Sequence, residues 1–159
     1  VLDNLFNFDD LLRFSIDARH YLPLSRRWTL ESEFNAFYTQ AKLISPYDYT
    51  LIGGFYPLFE RSVPFWGASP YEFNPYDFFL FRETGRFEII PDLYAEGVVN
   101  LLLQDVMDTS FDSGSNKSVL GYGLGVNYQS LLGPIRLALA HRHNTNRWYG
   151  FFSLGYNFR

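Results

Sequence analysis

Two groups of residues in this 159-residue chain carry side chains capable of chemistry. The first is His141-Arg142-His143-Asn144-Thr145. A hydroxyl beside an imidazole becomes a nucleophile when a carboxylate orients the imidazole. No acidic residue follows in the closing segment from Arg147 onward. The two histidines therefore read as interfacial residues beside a hairpin turn. The second group is charged: Arg13, Arg19, Glu31, Glu33, Glu96 and Arg136. Opposite charges in a confined polar interior pair with one another, and the guanidinium fork suits carboxylates there. Cys is absent, which removes disulfides, thiolate metal ligands and Cys nucleophiles. We expect no catalytic residue, no cofactor and no metal.

What positions these charges is a two-residue period. Trp148, Gly150, Phe152, Leu154, Tyr156 and Phe158 alternate with Tyr149, Phe151, Ser153, Gly155 and Asn157. Upstream, Leu120, Tyr122, Leu124, Val126 and Tyr128 alternate with Gly121, Gly123, Gly125, Asn127 and Gln129. Strands show alternate residues to opposite faces. Large apolar residues on one face, with Gly and polar residues on the other, suit a β-barrel in lipid. Aromatics make up 20% of the chain, as the girdles of such barrels require. No run of about eighteen apolar residues offers a transmembrane helix. The net charge of -4, without a basic cluster, argues against a nucleic-acid partner. No leader segment is visible, so the chain reads as a mature or trimmed form.

Along the chain, Val1, Leu5, Phe8 and Leu12 fall at helical spacing, so residues 1–12 read either as a short amphipathic helix at the membrane surface or as an irregular lead-in. The barrel then occupies residues 13–159. Phe14, Ile16 and Ala18 open the first strand. Trp28, Leu30, Phe34, Ala36 and Tyr38 mark the second, with Glu31, Glu33 and Asn35 opposite. Thr50–Tyr56 is expected as a third strand and Pro57–Pro75 as a long loop. Phe78–Ile90 is a fourth, with its two faces poorly resolved. Strands around Leu93–Gln104, Val119–Gln129 and Ile135–Arg142, and one from Trp148, bring the total to about eight, an all-β antiparallel transmembrane barrel. A barrel of that size is filled by its own side chains, so no soluble-type apolar core is expected. The Gly-rich sixth strand permits tight curvature.

Several segments resemble the bacterial surface-antigen, or BamA-type outer-membrane-protein-85, superfamily. The hairpin Tyr122–Val126 with Ser130–Leu137 is similar to the one before the family's last strand, and Gly133-Pro134 stands at its usual turn. Phe152–Phe158 is similar to the closing strand. Gly53-Gly54 followed by Val63-Pro64-Phe65-Trp66-Gly67 sits where the family has a Gly-Gly and a Val-Arg-Gly-aromatic loop. The loop Arg is missing here, and the Pro-Phe-Trp-Gly form looks closer to the barrels of patatin-like phospholipases. The resemblance covers most of the chain and corresponds to the C-terminal half of a sixteen-stranded family barrel. Within the chain there is no POTRA repeat and no patatin G-x-S-x-G elbow.

The resemblance implies a bacterial outer-membrane location and a role in protein or lipid assembly or translocation, with outer-membrane lipid as partner and the cargo unspecified. An alternative from another class is a small barrel enzyme of the lipid A deacylase type, built around His141 and His143. Half a family barrel leaves two routes: one chain closes on itself around its interior charges, or, as the resemblance favours, a homodimer forms as one shared barrel or as two barrels joined at the seam between first and last strands.

Overall fold

The computed structural model describes residues 12–40, 50–57, 62–106, 118–131, 133–143 and 145–155. The amphipathic segment expected over residues 1–12 lies, but for Leu12, outside the described residues. Nine strands follow in order: β1 (Leu12–Pro23), β2 (Trp28–Gln40), β3 (Leu51–Ile52), β4 (Ser62–Val63), β5 (Asp77–Ile90), β6 (Leu93–Gln104), β7 (Ser118–Ser130), β8 (Gly133–Arg142) and β9 (Arg147–Leu154). Seven make one antiparallel sheet in the order β1-β2-β5-β6-β7-β8-β9. The sheet curves but does not close, so β1 and β9 are its edges.

The expected third barrel strand is corrected. Thr50–Tyr56 contributes only β3, which pairs in parallel with β4 inside the connection between β2 and β5. Gly53 at φ 139° and Gly54 at φ 76° turn the chain out of extended geometry immediately after β3. The wall therefore has seven strands among the described residues, not about eight.

Long strands form because residues alternate strictly. On the convex face lie Phe14, Ile16, Trp28, Leu124, Leu137, Leu139, Trp148, Phe152 and Leu154, all exposed. Such a surface is a liability in water and ordinary in lipid, where the hydrogen-bonded ladder is what matters. Short turns join the strands at one end. In one, Asp92 sits at φ 68° and its carbonyl accepts the Gln129 N–H at 2.8 Å. In another, Gly133, the first residue of β8, is at φ 108°, and its carbonyl accepts the Ser130 hydroxyl at 2.6 Å. The long connection leaves from the opposite end.

A second correction concerns the interior. The concave face holds an apolar core at the long-loop end, where Ile52, Phe65 and Ala68 of the connection pack on Phe78, Leu80, Leu102 and Val119 of the wall. A smaller cluster of Trp66, Val98 and Ala140 lies beside it. The loop brings apolar residues that a narrow barrel would otherwise need from its own strands.

Candidate functional site

The connection from Thr50 to Tyr76 folds back into the concavity as a hydrogen-bonded plug. Ile52 and Phe73 exchange both backbone hydrogen bonds, at 2.8 and 3.0 Å. The Gly53 N–H donates to Val63 O at 3.0 Å, and the Phe65 N–H to Gly54 O at 2.9 Å. The Gly-Gly pair and the Val63–Gly67 motif, nine residues apart, are thus brought side by side. At Gly53 a Cβ would stand 2.1 Å from Ser69 O, so the fold-back admits only glycine.

The plug is held to the wall at four places. The deepest is Trp66. Its N–H donates to Asn100 Oδ1 at 3.0 Å, and its carbonyl accepts from Asn100 Nδ2 at 2.9 Å. Asn100 is completely buried on β6. The Trp66 ring lies along Gly123 and Gly125 of β7: added Cβ atoms there would stand 2.9 and 3.2 Å from it, and one at Gly121 would stand 1.9 Å from Trp66 O. The glycine stripe is therefore a slot for a tryptophan.

The second contact is Arg82 of β5, which donates from Nη1 to Pro64 O at 3.2 Å and pairs through Nη2 with Glu33. The third is at the mouth, where Arg142 pairs with Glu72 at 2.6 Å and lies 5.5 Å from the Phe73 ring centre. Burial alone would raise the Glu72 carboxyl. The Ser69 N–H and the Arg142 guanidinium outweigh it and hold the group below the usual carboxylate range. The fourth is aromatic: Phe55 stacks on Phe151 of β9 and Tyr56 packs against it at a tilt, with centroids 5.1 and 4.9 Å away. Arg136 lies over Tyr56 at 4.8 Å, while burial pushes the Tyr56 phenol up.

Beside the plug the concavity opens into a charged cleft of about 780 Å³ that runs from Arg13, Phe37 and Phe78 near the long-loop end to Arg86, Glu96 and Arg136 near the short turns. All six charges expected inside line it. Four of them form one network. Arg19 reaches Glu31 at 3.4 Å and Glu33 at 3.3 Å. Arg86 stands 3.8 Å from both Glu31 and Glu96. Arg13 and Arg136 also lie over the rings of Phe37 and Tyr56. Sequence reasoning missed Arg82 and Arg86, which knit the carboxylates together. Their signal is the series Phe78, Leu80, Arg82, Thr84, Arg86, obscured because Glu83 and Gly85 interrupt the other face. The histidines stand apart from the cleft. His141 is buried between Tyr122 and Trp148, with Nε2 3.1 Å from Asn146 Oδ1, and His143 is exposed.

A loop that re-enters its own half-barrel and is clamped there through a Gly-Gly and an aromatic-Gly motif agrees with the sequence comparison. A sequence model of the OMP85 superfamily matches residues 6–158. The chain belongs to the OMP85 superfamily. A comparison with curated proteins found no match. OMP85 superfamily members are β-barrels embedded in outer membranes, which assigns the convex face of this sheet to lipid and the cleft to the lumen. Within this OMP85 chain a wall cation, Arg82, approaches the loop at Pro64.

Proposed function

We propose that this chain is the wall of a bacterial outer-membrane barrel that assists assembly or translocation of protein or lipid. The observation that carries this reading is the clamped luminal loop. It fills the long-loop end of the lumen with an apolar plug and leaves a charged, open cleft beside it. A cleft lined by paired Arg and Glu beside Phe37, Phe55 and Tyr56 offers an extended polypeptide both hydrogen-bonding groups and apolar contact. The edges of β1 and β9 cannot stand unpaired in lipid, so the working barrel pairs both. The Pro64-Phe65-Trp66-Gly67 form supports placing it with patatin-associated barrels.

The reading is non-enzymatic. The Thr145 hydroxyl beside the histidines accepts a hydrogen bond from Arg142 Nε at 2.9 Å, so it is engaged by a cation rather than by a base. Proteoliposomes carrying this protein and offered a urea-unfolded outer-membrane barrel provide the test. Faster folding of the substrate than in empty liposomes is expected, and equal rates would overturn the proposal.

A further inference from the structure

The convex face is not uniform. Over β7, β8 and β9 it presents large apolar side chains, among them Leu124, Val126, Leu137, Leu139, Phe152 and Leu154. Over β1, β2 and β5 one register row reads His20, Ser32, Glu83 instead. The Ser32 hydroxyl donates to Glu83 Oε2 at 2.8 Å. Glu83 lies at the middle of β5 and is exposed on the lipid side. The neighbouring Arg82 and Arg86 point the other way, into the cleft. The next row carries Gly85 paired with Gly97, and a Cβ at Gly85 would meet nothing within 4 Å.

A lipid-facing carboxylate in mid-span is costly and calls for a partner. Among the described residues Glu83 has only the Ser32 hydroxyl. Small residues that let backbones approach, beside polar side chains, are how membrane segments associate where no hydrophobic force acts between them. The row is also self-complementary, with a donor at one end and an acceptor at the other. A two-fold axis along the membrane normal beside Ser32 sets His20 of one copy opposite Glu83 of the other, and the reverse. Strand tilt offsets the two in depth by about 6 Å, within the combined reach of the side chains.

We propose that the His20–Ser32–Glu83 row with Gly85 and Gly97 is a docking face for a second copy of this chain. The contact lies on the convex face of β1, β2 and β5, not at the seam between β1 and β9. In it the His20 imidazole N–H donates to the Glu83 carboxylate across the interface.

The test uses the full chain in its native membrane, where the absence of Cys gives a clean background. Leu30→Cys and Phe34→Cys flank Ser32 on the same face of β2 and should each give a disulfide-linked dimer on mild oxidation. Leu137→Cys, on the apolar side, should give none. Adding Glu83→Leu or His20→Glu to Leu30→Cys should lower the dimer about tenfold. The exchange His20→Glu with Glu83→His should restore it, which a fold defect would not do. Heat-modifiability on gels confirms that each variant is folded. The proposal is overturned if Leu30→Cys and Phe34→Cys stay monomeric or crosslink only to another protein. Dimers indifferent to both Glu83→Leu and His20→Glu, or dimers formed equally by Leu137→Cys, also overturn it. So do dimers formed only by Phe14→Cys with Phe152→Cys, which report the seam.

Discussion

Asn100 grips Trp66 by the backbone, accepting its N–H at 3.0 Å and donating to its carbonyl at 2.9 Å, with no exposure to solvent. A single side-chain amide thus replaces the strand that Trp66 would otherwise need. Asn100→Leu should leave two buried backbone groups unpaired, a loss of about 2–4 kcal/mol. We expect a lower urea midpoint and protease cleavage within the Thr50–Tyr76 loop while the sheet persists. A loop that stays protected in this variant would show that the amide is dispensable.

The slot for Trp66 should be equally intolerant. Gly121→Ala places a methyl 1.9 Å from Trp66 O and must displace the loop, whereas Gly150→Ala meets nothing within 4 Å. In a Trp28→Phe, Trp148→Phe background, Trp66 emission should shift to the red for Gly121→Ala and stay put for Gly150→Ala.

Arg82 joins the wall to the loop and to Glu33. Arg82→Ala leaves the buried Glu33 carboxylate with only Arg19 and Asn35, a cost of about 3 kcal/mol. Arg82→Lys keeps the charge but cannot bridge Pro64 and Glu33 with one fork, so it should recover only part of the stability. Planar-bilayer conductance should rise in Arg82→Ala as the loop loosens. Identical stability in all three proteins would remove Arg82 from the clamp.

Acid should release the mouth of the loop before the rest. Glu72 is held below its ordinary value near 4.5 in the folded protein. A carboxyl depressed on folding stabilises fully above the unfolded value and loses that contribution as pH falls through the lower native value. Proteolysis of the loop should therefore increase below about pH 4.5 in the native chain. Glu72→Gln should start less stable and show a flatter pH response.

His143→Ala should leave acyl-ester hydrolysis of host membranes unchanged. A measurable loss, with the barrel folded, would reopen the deacylase reading.

The wall was legible in the sequence because a two-residue period leaves little freedom. β2, β6, β7 and β8 fall within a residue or two of where alternation begins and ends, and β9 begins one residue before Trp148, where the last alternation starts. The plug was not. Leu51, Ile52, Phe55 and Tyr56 look like a short membrane strand, since period and hydropathy cannot separate burial in lipid from burial against one's own wall. Only the positive-φ demand of Gly53-Gly54 hinted at a fold-back. The interior charges were read from parity alone, but their linkers Arg82 and Arg86 sit on a strand whose outer face carries Glu83, and that erased the contrast. The glycines of β7 read only as permitting curvature, because glycine by itself does not say what fills the space its missing side chain leaves.

The plug is encoded between β2 and β5, yet its anchors lie far downstream, at Asn100, Gly121–Gly125, Arg142 and Phe151. Contacts this distant in sequence are slow to form, because the intervening chain must be ordered first. Locking the loop is therefore among the last events of folding, and it reports that the C-terminal hairpin has been added. A chain truncated before β9 would still have its loop, but without the Phe151 ring that holds Phe55 and Tyr56. Protection of the Phe55–Tyr56 end of the plug thus depends on a strand that enters the sheet last in sequence.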